Sequence, residues 1–429
     1  MVLFFVFIIL GMAVGLSYFF GNNKFSPAKL LLSLWLLAIG VAQLRLSPYE
    51  AAWSGKFWLI LALFFLLFYL SYVIFSRLAN RKIKAGQIIE TTNSKIFLIT
   101  ILILTILSLA ANAYIFSRFG TLPILSSVPD KMRFIINKQV FGLWEYAALL
   151  PRIIIPLAFI FLLSGRRSRV VKIIIFINIL LGFLLLSLYA SRLVIILPIL
   201  MSYFGYLIIK IKKINWRKIA VASMVVLILV LVISVAIPMF RHFITYRDYY
   251  ADVDYNAFTY LADLSKLNLP AQLDFLIPLY LIPAFNLQAF FRATDYFSYA
   301  NWHWGGYGLS TFNSFLKIFG APELNGAIAW KEMFLPWWVT ATFLFNYWVD
   351  FGWLGIIVAA IFWGVLLAVI YNWVTKKPTV LSVMLFAYFS FVTVMSIYTN
   401  YLMREEFYLD IILILLVGLP ISHKLTKRA

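Results

Sequence analysis

The sequence predicts an all-α polytopic membrane protein with about eleven transmembrane helices, forming one integral membrane domain over residues 1–429. Three observations predict this class. Hydrophobic residues make up 64% of the chain and charged residues only 12%, whereas a soluble domain needs far more polar surface. Continuous apolar runs recur along the chain, and lipid admits only helices or closed barrels. Lysine and arginine also gather in alternate connections between the runs.

Short polar breaks separate the apolar runs. The first run has no basic segment before it, and Gly21-Asn22-Asn23-Lys24 is a poor signal-peptide cleavage site, so we expect a true helix there. The predicted spans lie near Val2–Phe20, Leu30–Gln43, Phe57–Phe75, Ile96–Phe116, Gly142–Ser164, Ile173–Ala190, Leu193–Ile209, Ile219–Met239, Phe351–Tyr371, Thr379–Tyr398 and Tyr408–Ile421.

The distribution of charge predicts the orientation. One set of alternate connections holds 21 of the 36 basic residues and a single acid, Glu90. The positive-inside rule makes this set cytoplasmic, which places the N-terminus outside and the C-terminus inside. The net charge of +20 therefore indicates contact with anionic lipid headgroups and not with nucleic acid.

The connection over residues 240–350 is the only long one, and the orientation places it outside. We expect function to concentrate there. Within it, Gln272–Phe291 is apolar but is interrupted by Pro278 and Pro283, which predicts a re-entrant or interfacial segment.

Several chemistries are disfavoured. The chain has no cysteine and three histidines that are not spaced as a ligand pair, which argues against a zinc site. It has no P-loop, dinucleotide fingerprint, nucleophile elbow or H-E-x-x-H helix. We therefore predict no metal and no cofactor.

Two arginines near the outer ends of spans are candidate anion ligands. Arg152 follows Pro151 in the fifth span, and Glu145 lies two turns earlier on the same side, so a purely structural pair is the alternative. Arg192 belongs to the short external connection Tyr189-Ala190-Ser191-Arg192. It is either a fixed outward cation or an anchor to lipid headgroups.

The large loop begins with further candidates. Arg241 and Arg247 follow the eighth span, and a guanidinium fork could hold a diphosphate there. The alternative is a juxtamembrane helix in which these arginines pair with acids such as Asp248. Arg404, in the last external connection, is a supporting cation.

An aromatic stretch later in the loop contains a histidine. Amphipathic rings suit the faces of sugars, although membrane-interface belts use the same residues. The candidates are Tyr246, at the start of the large loop, and Trp302, Trp304 and Tyr307 in this stretch. His303 is a candidate general base, because imidazole exchanges protons near neutral pH; a structural hydrogen-bonding role is the alternative. The other candidate bases are Asp248, Glu332 and Asp350.

The segment Thr342-Phe343-Leu344-Phe345-Asn346-Tyr347-Trp348-Val349-Asp350-Phe351-Gly352-Trp353-Leu354-Gly355 resembles a stretch that ends the large periplasmic loop of Wzy-type oligosaccharide repeat-unit polymerases. The Ser191-Arg192 hairpin and the layout of spans resemble that family too. O-antigen ligases share the architecture, but they carry a histidine where this chain has Thr342, which favours the polymerase. The R-x10-G pattern of some polymerases is absent.

The resemblance implies an enzyme of the bacterial cytoplasmic membrane that makes O-antigen, capsule or exopolysaccharide. It would join undecaprenyl-diphosphate-linked glycans on the outer face by inverting, metal-independent transfer, with a flippase and a chain-length regulator as partners in the pathway. The alternatives are a ligase-like glycosyltransferase, a transporter or flippase of lipid-linked sugars, and a structural scaffold. A transporter typically shows repeat symmetry and midplane ionisable residues.

Overall fold

A computed structural model describes residues 2–20, 24–79, 94–129, 131–132, 135–136, 142–164, 167–210, 216–246, 257–267, 276–297, 302–309, 334–335, 338 and 340–423. Every regular element in these ranges is a helix, so the predicted all-α class is confirmed. The α-helices are α1 Val2–Phe20, α2 Pro27–Ala42, α3 Gly55–Ala79, α4 Ser94–Phe119, α5 Gly142–Ala148, α6 Pro151–Leu163, α7 Arg169–Ser187, α8 Arg192–Ile209, α9 Trp216–Tyr246, α10 Ala257–Ser265, α11 Ile277–Tyr296, α12 Gly306–Leu309, α13 Phe343–Lys376, α14 Val380–Met395 and α15 Glu405–His423.

Each of the eleven predicted spans coincides with a helix or, for the fifth, with α5 and α6 together. Two of these helices, α2 and α14, are apolar but shorter, and the last predicted span lies within α15. The number of crossings and the orientation stay predictions. In the described part of the chain, eight helical stretches are long and apolar enough to cross a membrane: Val2–Phe20, Gly55–Arg77, Lys95–Phe119, Trp144–Leu163, Arg169–Ser187, Arg192–Ile209, Arg217–Ile237 and Phe343–Lys376.

The surfaces of these helices are apolar. On α9, for example, Val221 is 56% exposed and Leu227 is 58% exposed. Such continuous apolar exposure would be an aggregation hazard in water, whereas lipid solvates it at no cost. The chain is therefore a multi-pass membrane protein.

The helices form two compact units, and each unit combines stretches that are distant in sequence. The first contains Met1–Lys84, Ala262–Thr375 and Val392–Tyr408. The second contains Ala85–Leu261, Lys376–Phe391 and Leu409–Ala429.

In the first unit, α1 and α2 pack as an antiparallel pair through small residues. The Ser33 hydroxyl donates a 2.8 Å hydrogen bond to the Gly11 carbonyl. A Cβ on Gly11 would lie 2.8 Å from the Leu37 side chain, so the backbones approach too closely for a larger residue. Small residues at a helix contact provide this close approach within a bilayer.

Helix α11 contains most of the segment predicted to be re-entrant or interfacial, and it is enclosed by protein on nearly every side. Asn286, Gln288 and Thr294 are almost completely buried. The Asn286 amide accepts hydrogen bonds from Trp338 Nε1 at 3.0 Å and Thr340 Oγ1 at 2.8 Å, and donates to the Ile397 carbonyl at 3.0 Å. These contacts make α11 a core helix of the first unit. Its entry into the bilayer stays a prediction.

In the second unit, α6 packs against both α7 and α8. A Cβ on Gly182 of α7 would lie 3.0 Å from the Ile155 side chain, and one on Gly205 of α8 would lie 2.8 Å from the Ile160 side chain. Two glycines thus let both neighbours approach α6.

Candidate functional site

The segment that carries the family resemblance lies at the start of α13, where the helix is broken. Gly352 has φ 53° and ψ −128°, a conformation that only glycine adopts without strain. A Cβ on Gly352 would lie 1.8 Å from the Trp302 ring. Glycine is therefore required at position 352 for two reasons: the backbone conformation and the close packing of the Trp302 indole.

Asp350 anchors the loop that contains Trp302. Its carboxylate accepts hydrogen bonds from the Tyr307 N–H at 2.9 Å and the Gly308 N–H at 2.8 Å, one on each oxygen. The residue is 2% exposed. Because each oxygen already accepts a backbone N–H and little of the side chain can reach a substrate, this position favours an anchoring role over the predicted role as base.

Two backbone contacts extend the anchor. The His303 N–H donates to the Val349 carbonyl at 3.0 Å, and the Trp304 N–H donates to the Asp350 carbonyl at 2.9 Å. The loop over residues 302–309 therefore donates four hydrogen bonds to Val349 and Asp350, just before the break in α13. We call this loop the aromatic loop.

The aromatic loop turns sharply at Trp304 and Gly305, which have φ 49° and 91°. A left-handed tryptophan is uncommon and marks a position that the surroundings determine. Trp304 is 55% exposed, whereas Trp302 packs on Gly352. Of these two predicted sugar-binding rings, Trp304 is thus the one that presents a surface.

His303 is half-buried within the same loop. Its ring lies 5.7 Å from the Phe297 ring and 6.3 Å from the Tyr307 ring. Burial and the nearby Asp350 charge raise the pKa of Tyr307 to about 12, further above neutral pH, where a tyrosine hydroxyl is ordinarily protonated. The structure thus brings together His303, Tyr307, Trp302, Trp304 and Asp350 in the first unit.

Arg404 belongs to the first unit as well. Its guanidinium binds Glu406 through two hydrogen bonds of 2.9 and 3.2 Å, and both side chains are about one-third exposed. The preceding residue, Met403, lies against the aromatic loop, since a Cβ on Gly308 would be 3.0 Å from Met403 Sδ. Arg404 therefore pairs with a carboxylate, and its neighbour Met403 contacts the aromatic loop.

Arg152 lies deep in the second unit, and the structure supplies a partner that the sequence did not suggest. Its Nη2 is 3.0 Å from Asp410 Oδ1, and its Nε donates to the same oxygen at 3.1 Å. Tyr146 and Tyr388 donate to Asp410 at 3.0 and 2.9 Å. This network neutralises the Arg152 charge and favours the structural alternative for that residue.

Arg192 is the first residue of α8 and is half-buried. The hairpin before it is fixed, because Ala190 has φ 48° and the Ile124 N–H donates to the Leu188 carbonyl at 3.0 Å. Tyr189 is 5% exposed, and burial together with the Glu145 charge raises the pKa of its hydroxyl. Arg192 therefore extends from an anchored hairpin in the second unit.

The other predicted site residues lie partly or wholly outside the described structure. Arg241 and Tyr246 are in the last turns of α9, but their side chains are not described. Arg247, Asp248 and Glu332 lie outside the described residues.

Two residues that the sequence did not single out have defined positions. Asp410 completes the Arg152 network across 258 positions of sequence, a separation at which no spacing rule applies. Lys56, at the start of α3, donates a hydrogen bond to the Thr294 carbonyl and lies 5.2 Å from the Trp348 ring. An isolated lysine at a helix end gave no sequence signal.

No protein-family model, curated protein or solved structure matches this chain.

Proposed function

We propose that this chain is a membrane glycosyltransferase that polymerises undecaprenyl-diphosphate-linked oligosaccharide repeat units on the outer face of the bacterial cytoplasmic membrane. The observation that carries the proposal is the anchored aromatic loop. It combines a half-buried histidine, a protonated tyrosine and an exposed tryptophan with the segment of α13 that resembles the polymerases. A proton acceptor beside a sugar-sized aromatic surface suits transfer between glycans.

In the proposed reaction, a hydroxyl of the acceptor repeat unit attacks the anomeric carbon of the donor glycan. The bond from this carbon to the diphosphate oxygen breaks, and undecaprenyl diphosphate leaves with the bonding electrons. His303 takes the proton of the attacking hydroxyl. Attack opposite the leaving group inverts the anomeric configuration.

The leaving diphosphate gains negative charge and needs cations or N–H donors in fixed positions. We propose that Arg192, Arg241 and Arg247 serve this purpose and that Arg404 assists. Arg192 is the best supported of these, because its hairpin is anchored. We leave Arg152 out of this proposed set, because it pairs with Asp410 within a buried network.

Reconstitution tests the proposal. Purified protein in liposomes would receive a lipid-diphosphate-linked repeat unit from the host strain, without nucleotide or added metal, and the products would be separated by size. We expect a ladder of lipid-linked oligomers. Unchanged monomer from folded protein would contradict a polymerase.

Two further measurements on the same liposomes separate the alternatives. Transfer of the glycan to a non-lipid-diphosphate acceptor, without a ladder, would indicate a ligase. Movement of the lipid-linked unit between leaflets, without bond formation, would indicate a flippase. Either result would replace the polymerase assignment.

A further inference from the structure

Lys56 lies at the first turn of α3 and of the candidate membrane span Gly55–Arg77, at the end that the predicted orientation places outside. Lipid phosphates lie at this level of a membrane, where a helix leaves the hydrocarbon core. The side chain is exposed, yet its ammonium is held in place by the Thr294 carbonyl in the last turn of α11. Carbonyls in the last turn of a helix lack partners within the helix and favour cations.

The Trp348 ring provides a second contact. The Lys56 ammonium lies 5.2 Å from its centroid, within the range of a cation–π interaction. Neither contact cancels the positive charge. Among the residues that the structure describes, no carboxylate forms an ion pair with Lys56, in contrast to Arg152 and Arg404.

Lys56 and His303 approach the same two short stretches of chain. Thr294 contacts Lys56, and three residues later the Phe297 ring contacts the His303 ring. Trp348 contacts Lys56, and the next residue, Val349, accepts the His303 N–H. The cation and the proposed base therefore flank one corner of the first unit, formed by the end of α11 and the start of α13.

We infer that Lys56 is a binding residue for the diphosphate of a polyprenyl-linked glycan, positioned beside the aromatic loop. The inference rests on the proposed function and adds a cation from the same unit as His303. Its three donors can serve the Thr294 carbonyl and a phosphate oxygen together. The Trp348 ring and the α11 terminus restrict the side chain before the ligand arrives, which lowers the entropy lost on binding.

A binding experiment tests this role without requiring turnover. Wild-type protein and the variants Lys56→Gln, Lys56→Arg and Lys266→Gln would be titrated in detergent with undecaprenyl diphosphate and, separately, with phosphatidylglycerol. Native mass spectrometry would count the bound lipids. Lys266 is a matched control, because it is also exposed and lies over a ring, that of Tyr49 at 5.4 Å. Thermal unfolding would verify that each variant is folded.

We expect Lys56→Gln to weaken undecaprenyl diphosphate binding about tenfold, the effect of one charge-assisted hydrogen bond. Lys56→Arg should retain most of the affinity, Lys266→Gln should bind as wild type, and phosphatidylglycerol binding should not change. Equal binding by Lys56→Gln and wild type would overturn the inference. So would an equal loss for both lipids, which would make Lys56 a general headgroup contact.

The design separates this inference from the proposed function. If wild type makes the oligomer ladder but Lys56→Gln binds the diphosphate normally, only the role of Lys56 is wrong. If wild type makes the ladder but does not bind undecaprenyl diphosphate, the inference is overturned and the polymerase assignment stands, whereas unchanged monomer from folded wild type overturns the polymerase assignment itself.

Discussion

Arg152 and Asp410 form an ion pair of 3.0 Å whose side chains are 4% and 0% exposed. Ionised groups inside a membrane are costly unless they are paired, and a pair alone leaves further hydrogen-bonding capacity unmet. Tyr146 and Tyr388 supply two further donors to the carboxylate. Within the second unit, the pair therefore joins α6 to α15, and the tyrosines add α5 and α14.

The pair should be essential for stability. We expect Arg152→Ala or Asp410→Ala to lower the free energy of unfolding by about 3–5 kcal/mol, because each leaves a buried charge without its partner. Thermal unfolding in detergent and membrane abundance would measure this. The matched control is Arg404→Ala, which breaks a partly exposed pair and should cost about 1 kcal/mol or less. Wild-type stability in Asp410→Ala would contradict a structural role.

Gly352 should tolerate no side chain. We expect Gly352→Ala to cost about 1–3 kcal/mol from backbone strain, before the collision with Trp302 is counted. Two glycines separate these effects. A Cβ on Gly120 meets nothing within 4 Å at φ 68°, so Gly120→Ala reports strain alone, and Gly55→Ala, with open space and no left-handed φ, reports neither. Thermal unfolding of the three variants would rank their stabilities, and we expect Gly352→Ala to lose the most and Gly55→Ala the least. Equal stability of the three would contradict the packing of Trp302 on Gly352.

Loss of the His303 side chain should affect transfer alone, whereas loss of the Asp350 side chain should affect both transfer and stability. His303→Gln should reduce transfer about 10²–10⁴-fold, as expected for a lost general base, with little change in unfolding temperature. Asp350→Ala should reduce both, because the buried N–H groups of Tyr307 and Gly308 lose their acceptor. Oligomer yield in liposomes and thermal unfolding would distinguish the two. Normal yield in folded His303→Gln would exclude this histidine as the base.

Hydrophobic runs predicted the helices well because crossing lipid requires continuous apolar surface whatever the tertiary packing. The same property does not show what surrounds a helix: α11 is apolar, and the structure gives the Asn286 amide within it three hydrogen-bond partners inside the first unit. Apolarity alone does not distinguish lipid from protein as the neighbour.

The sequence could not predict pairings between residues that are distant along the chain. Helical spacing suggested Glu145 for Arg152, since local neighbours are all that periodicity can supply. The partner that the structure gives, Asp410, follows from tertiary packing. The aromatic loop shows the same limit: its composition suggested a site, but its attachment to Asp350 depends on two backbone N–H groups that carry no sequence signal.

Glu50 should make stability depend on pH. Burial raises the pKa of its carboxyl above the ordinary value, although hydrogen bonds from Tyr280 and Ser47 oppose the shift. A carboxyl with a raised folded-state pKa contributes stability below its unfolded pKa and loses that contribution as pH rises through the folded value. The difference in unfolding temperature between wild type and Glu50→Gln should therefore shift against wild type as pH rises above about 4.3. A pH-independent difference would contradict the raised pKa of this carboxyl.

Arg192 allows a test that separates a diphosphate ligand from a headgroup anchor. As a diphosphate ligand, its loss in Arg192→Ala should shorten the products and slow transfer about a hundredfold or more, while membrane abundance stays normal. Arg192→Lys then decides between the roles, because lysine can anchor to headgroups but cannot form the bidentate fork. A ligand role predicts partial activity in Arg192→Lys, whereas an anchor predicts full activity. The fixed hairpin, held by the Ile124 N–H on the Leu188 carbonyl, limits compensation by movement of the backbone, so wild-type chain length in Arg192→Ala would remove Arg192 from the site.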